Sequence, residues 1–132
     1  MKEDSRSGAC SAKEYAGKSY YCSVELTLHI VGGKWKPIIL WRLAGREGVR
    51  FGELRRLIPN VTQKMLTQQL RELESDGMIL RVVYAQSPPK VEYSLTGLGQ
   101  SVLPVLERLC AWGREFEARI AEQGAFRSVE SA

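Results

Sequence analysis

At Gly77 the hydrophobic period of this chain changes, and that switch constrains its fold more than any other feature. Before it, Leu66, Leu70 and Leu73 recur at the spacing that lines one face of a helix, with Met65 alongside. After it, Leu80, Val82 and Tyr84 alternate, as do Val91, Tyr93 and Leu95, which predicts two strands flanking Ser87-Pro88-Pro89-Lys90. Gly77 closes the helix, because it tolerates the left-handed backbone needed there. A helix with one buried stripe, running straight into a β-hairpin, leaves Thr62, Gln63, Lys64, Thr67, Gln68 and Arg71 on its free face.

The rest of the chain frames this pair. A first helix is expected at about 23–31, with Ser23 as N-cap, Glu25 in its first turn and Gly32-Gly33 as its end. A second runs through Trp35, Ile38, Ile39 and Leu43; Pro37 is acceptable in its first turn, where no backbone donor is needed. Gly45 to Gly48 forms a turn, Val49-Arg50 a very short strand, and Phe51 to Ile58 a short helix ending at Pro59-Asn60-Val61. Thr62 then starts the polar-faced helix without a capping box, since Met65 holds the third helical position. Thr96 caps one long final helix reaching about residue 123. The expected fold is mainly α with a small β-hairpin wing, a winged helix-turn-helix dimerising through its N- and C-terminal helices. Residues 1–20 read as a flexible N-terminal tail, 21–123 as one DNA-binding and dimerisation domain, and 124–132 as a second tail.

Composition narrows the function. A chain of 132 residues, 44% of them hydrophobic, suffices for one domain with a core. No apolar run approaches the roughly 18–20 residues of a membrane span, and the N-terminus lacks a signal-peptide core, so a cytoplasmic protein with no membrane partner is expected. The net charge of +4 is concentrated: from Lys34 to Lys90 there are eleven Lys/Arg against five Asp/Glu. A basic middle with less basic flanks suits a nucleic-acid-binding module. Cys10, Cys22 and Cys110 are too widely spaced for a zinc finger, and His29 is the one histidine, so neither metal nor cofactor is expected. His29, Trp35, Trp41 and Trp112 read as packing residues. No His–carboxylate pair or phosphate-binding glycine loop accompanies a nucleophile, so no catalytic residue is assigned.

The free face of the 62–76 helix has the chemistry to read DNA. Gln pairs bidentately with adenine, Arg with guanine or phosphate, and Thr meets the thymine methyl. Arg81 and Lys90 on the wing, with Arg50, Arg55, Arg56, Lys34 and Lys36, are phosphate candidates, although an ordinary solvated basic surface accounts for at least two of these seven. Two rival classes are an enzyme with a nucleophilic cysteine and a winged helix used only for protein contacts; the polar face speaks against the second. In the final helix Leu98, Val102, Val105, Leu109, Trp112 and Phe116 follow the alternation of coiled-coil a and d positions, while Leu103, Leu106 and Cys110 form a second stripe. A single winged helix is too small to bury both, so one stripe is expected to meet another subunit.

Five segments resemble regulators of the HxlR type, related to the wider MarR-like group. They are Cys22-Ser23-Val24-Glu25, Gly32-Gly33-Lys34-Trp35-Lys36-Pro37, Phe51-Gly52-Glu53-Leu54-Arg55-Arg56, the run from Gln63 to Leu73, and Val91-Glu92-Tyr93-Ser94-Leu95-Thr96. The resemblance covers about residues 22–113, with one departure: Ser23 stands where the family commonly has Pro. It implies a homodimeric, sequence-specific repressor bound to a double-stranded DNA operator with two-fold symmetry. Some members sense electrophiles or oxidants through the cysteine before the first helix, the position Cys22 occupies. A helix start favours thiolate over thiol, so sensing and an inert half-buried thiol both stay open for Cys22. Cys110 is core or a resolving thiol for the partner's Cys22, and Cys10 lies in the tail. Control by a small ligand or by expression level is the alternative to thiol sensing.

Overall fold

A computed structural model of the chain describes residues 11–124 and residue 129. Its elements run β1 (Lys13–Tyr15), β2 (Lys18–Tyr20), α1 (Ser23–Val31), α2 (Trp35–Leu43), β3 (Val49–Arg50), α3 (Phe51–Leu57), α4 (Gln63–Ser75), β4 (Ile79–Tyr84), β5 (Lys90–Leu95), α5 (Gly97–Ser101) and α6 (Leu103–Glu122). β4 and β5 pair antiparallel, and β3 adds to the far side of β5, giving the order β3-β5-β4. The core lies between α2, α3, α4 and this sheet. Ile39, Leu40, Leu43, Leu54, Ile58, Leu66, Leu70 and Leu73 are fully buried there, with Val49, Met78, Ile79 and Tyr93 closing it from the sheet side. The leucine stripe read from the sequence is therefore the inner face of α4, and the arrangement is a winged helix-turn-helix.

In its secondary structure and strand facing the protein departs from the sequence reading at four places. Residues 13–20 are a β-hairpin rather than tail: Ala16 and Gly17 take φ of 52° and 81°, the doubly left-handed turn that matches strand twist. Both of its strands are exposed apart from half-buried Tyr20, so no apolar alternation announces them. Residues 1–10, including Cys10, and nearly all of the expected second tail lie outside the described residues. Cys22, not Ser23, caps α1, its Sγ accepting from the Val24 N–H at 3.4 Å. The final helix is two helices. Pro104 has no N–H to give the residue 100 carbonyl and its ring conflicts with that carbonyl, so α5 stops at Ser101 and α6 restarts at Leu103. Finally, Arg81 pairs with Tyr93 and Ile79 with Leu95, so residues 79, 81 and 83 share a face with 91, 93 and 95, while Leu80 and Tyr84 point the other way and stay exposed.

The wing is locked to the body through Thr96. Its Oγ1 donates to the Gly77 carbonyl at 2.6 Å, its N–H donates to Met78 O at 3.1 Å, and the same Oγ1 accepts from the Gly99 N–H at 3.0 Å, capping α5 as expected. Gly99 is buried so tightly that a Cβ there would collide with the Met78 carbonyl oxygen. Thus the end of α4, the start of the wing and the start of α5 form one joint.

Candidate nucleic-acid interface

α4 presents the site. Its N-cap is Thr62, whose Oγ1 accepts from the Met65 N–H at 3.0 Å, and Arg55 braces the preceding turn by donating from Nε to the Val61 carbonyl at 3.4 Å. With Leu66, Leu70 and Leu73 fixed inside, helical geometry turns Gln63, Lys64, Thr67, Gln68 and Arg71 outward. These five and Glu72 line one solvent-open depression of about 750 Å³. All but half-buried Thr67 and Glu72 are exposed, and Thr62 stands exposed at the end of the row. The face offers amide donors and acceptors, a hydroxyl, a guanidinium and an ammonium within two and a half turns.

Arg81 joins this face rather than the wing tip. With Thr67, Arg71, Glu74 and Tyr93 it lines an adjacent concavity of about 320 Å³ between α4 and β4, which is where its register with Tyr93 directs it. Lys90 sits at the start of β5, over the Tyr84 ring at 4.9 Å and paired with Glu92 at 3.2 Å. Arg50, Arg55 and Arg56 are exposed around β3 and α3, and Lys34 is exposed with its Nζ 4.6 Å from the Trp35 ring centre.

Lys36, expected to contact phosphate, is placed elsewhere. It is only 8% exposed, and its Nζ lies 2.6 Å from Glu72 Oε1 across the α2–α4 contact. An ammonium sequestered in this way cannot reach a phosphate. The signal was available in the sequence: Ile39, Leu40 and Leu43 follow Lys36 at three, four and seven residues, which puts it on the inner face of α2. The hydrogen-bonded Lys36 holds the Glu72 carboxyl below the usual carboxylate range, against the opposing effect of burial, with help from Gln68 and Lys18. Sequence reasoning also missed Tyr15, whose hydroxyl donates to Asp76 Oδ1 at 2.9 Å and ties β1 to the C-terminal end of α4. That hydrogen bond, which stabilises the neutral phenol, raises the Tyr15 pKa.

The apolar stripes separate cleanly. Leu106 is buried and Leu103 and Cys110 are half-buried, as is Val102 of the other stripe, whereas Leu98, Val105, Leu109, Trp112 and Phe116 are exposed. The Trp112 and Phe116 rings stack 5.4 Å apart, both largely open to solvent. Cys110 lines a groove of about 530 Å³ with Trp35, Trp41, Leu106 and Leu109. Cys22 and Cys110 are both free thiols. Among the described residues no group of three His, Cys, Asp or Glu is arranged to hold a metal, and no helix is long and apolar enough to cross a membrane.

A helix with a polar outward face, preceded by a braced turn and followed by a wing, is what the comparisons with known proteins match. The family model of HxlR-like helix-turn-helix proteins aligns with residues 30–121. The chain belongs to the HxlR-like helix-turn-helix family. The HTH-type transcriptional regulator YtcD of Bacillus subtilis is 57% identical over 104 residues, 78% of this chain and 81% of that protein. The redox regulator HypR, in its oxidised form, superposes with a TM-score of 0.68 at 45% identity, covering 82% of this chain and all of that one. The transcriptional regulator YodB of B. subtilis, in its reduced form, gives a TM-score of 0.63 at 33% identity, covering 71% of this chain and 91% of that one. This HxlR-like chain is a helix-turn-helix transcriptional regulator, and DNA is its partner.

Proposed function

We propose that this chain is a homodimeric, sequence-specific repressor that reads a two-fold operator with the outward face of α4 and responds to electrophiles or oxidants through Cys22. The observation that carries the DNA reading is the row Gln63, Lys64, Thr67, Gln68 and Arg71 turned outward by the buried leucines. Thr62, Gln68 and Arg71 supply base contacts, while Arg81, Lys90, Arg50, Arg55 and Lys34 supply phosphate contacts.

The exposed apolar stripe of α6 supports the dimer, since contiguous apolar surface of this kind marks an association site. α1 lines a cavity with α5 and α6 and adds Val24 and Leu28, each more than 60% exposed. Thiol sensing is supported by the free, half-buried Cys22 at the N-cap of α1, and by two relatives. HypR is a redox regulator, and YodB has been solved in reduced and diamide-treated forms. An adduct on Cys22 would shift DNA affinity by favouring one dimer geometry over another.

The test is operator selection from genomic fragments, with and without diamide. Gln68→Ala and Arg71→Ala should each cost about 1–3 kcal/mol at one base pair. Lys90→Ala should weaken all DNA alike and flatten the salt dependence. Diamide should alter binding by wild type and not by Cys22→Ser. Loss of the response in Cys110→Ser alone makes Cys110 the sensor. Identical binding by all forms before and after diamide removes the thiols from the mechanism and leaves a small ligand or expression level as the control.

A further inference from the structure

The pair that removed Lys36 from the DNA contacts reaches back to the reading face. Glu72 uses its two oxygens separately. Oε1 takes the Lys36 ammonium at 2.6 Å, and Oε2 accepts from the Gln68 side-chain amide Nε2 at 3.4 Å. Lys36 is held in place by burial on α2, with a side chain 10% exposed, so it fixes the first oxygen from inside the molecule. Gln68 is one full turn before Glu72 and is exposed on the outer face. A chain of contacts therefore runs from the core, through a carboxylate, to a side chain that faces the groove.

An amide side chain has an oxygen end that accepts and a nitrogen end that donates, and rotation by half a turn exchanges them. Beside Glu72 the two orientations are not equivalent. With Nε2 toward Glu72 an N–H meets a carboxylate, whereas with Oε1 toward it two acceptors face each other. The first orientation leaves Oε1 and the second N–H of Gln68 free, in a fixed order. That order matches adenine, which offers the N6 amino donor beside the N7 acceptor, and mismatches guanine, whose O6 and N7 both accept. We propose that Lys36 and Glu72 are positioning residues that set the donor–acceptor order of Gln68, and thereby its choice of base. This rests on the reading of α4 as the base-reading helix. It gives Glu72 a use in recognition although a carboxylate at a DNA interface is electrostatically unfavourable, because Lys36 neutralises it from behind.

The experiment selects bound sequences from a randomised double-stranded DNA library with the full-length protein, and reads the base preference at each position. Wild type, Gln68→Ala, Glu72→Gln, Lys36→Met and Lys36→Arg are compared, with salt dependence and thermal unfolding measured for each. Gln68→Ala and Glu72→Gln should lose discrimination at the same base pair, by roughly tenfold or more, and keep it elsewhere. Lys36→Arg, which keeps the buried charge, should retain that preference, and the salt dependence should hardly change. If Lys36→Met fails to fold, Glu72→Gln and Lys36→Arg still decide. Loss of one preference in Gln68→Ala with full retention in Glu72→Gln overturns the positioning role and leaves the base contact standing. No change of preference in Gln68→Ala overturns the base contact, and the relay with it.

Discussion

Lys36 and Glu72 make opposite demands on the fold, and pH separates them. A buried ammonium is tolerable while Glu72 is ionised beside it, and becomes an unpaired buried charge once that carboxyl takes a proton. Because the folded-state pKa of Glu72 lies below its ordinary value near 4.5, the folded protein binds this proton less readily than the unfolded chain. The stabilisation is fully present above the unfolded value and is lost as pH falls through the lowered folded value. Denaturant titrations at descending pH should show wild type losing stability in that acid window, and Glu72→Gln should lack this component. Gly99 makes a different demand, for space. A methyl group there would meet the Met78 carbonyl oxygen, which Thr96 also uses, so Gly99→Ala must push α5 away from the wing. An overpacking cost of about 1–3 kcal/mol is expected, read as a lower urea midpoint at unchanged slope.

Among the elements, α4 depends most on its start. Thr62 satisfies one otherwise unpaired N–H, and the turn before it holds Asn60 at φ 72°, so the helix begins where side-chain chemistry lets it begin. Thr62→Ala should cost about 1 kcal/mol and speed amide exchange in the first turn, beside Gln63 and Lys64. Such elements were legible in the sequence because they are half-buried: leucines at helical spacing and a period change at Gly77 report burial directly. β1 and β2 were not, since Lys13, Glu14, Lys18 and Ser19 face solvent and leave no trace in a hydrophobic pattern. The outer row of α4 was readable for the same reason as its inner stripe, one being the complement of the other. Lys36 was assigned by its charge when its spacing to Ile39, Leu40 and Leu43 was the better guide. Glu72 carries no such signal, because the partner that defines it comes from a distant stretch of chain.

For the molecule as a whole, the proposed dimer would hold its two reading heads through the exposed stripe on α6. Two α4 helices in a symmetric dimer should address half-sites roughly 34–36 Å apart, one turn of DNA. Replacing Leu109 and Phe116 together by Glu should yield monomers in sedimentation and abolish tight operator binding. A wild-type protein that sediments as a monomer at working concentration and still binds its operator normally would refute the dimer. Tyr15 adds a second long-range tie, because its bond to Asp76 makes the segment before Cys22 part of the support for α4.

The break at Pro104 gives this assembly a mechanical property. α5 is fastened to the wing through Thr96 and Gly99, whereas α6 begins afresh after it, held to the body by buried Leu106 and half-buried Leu103. An α6 of 20 residues is about 30 Å long and starts from the break at Val102. A rotation of about 10° there moves the far end by about 5 Å, more than the rise of one base pair, about 3.4 Å. In the proposed dimer, slight repacking around Leu106 would therefore be amplified along α6 into a shift comparable to one base step between the two reading heads.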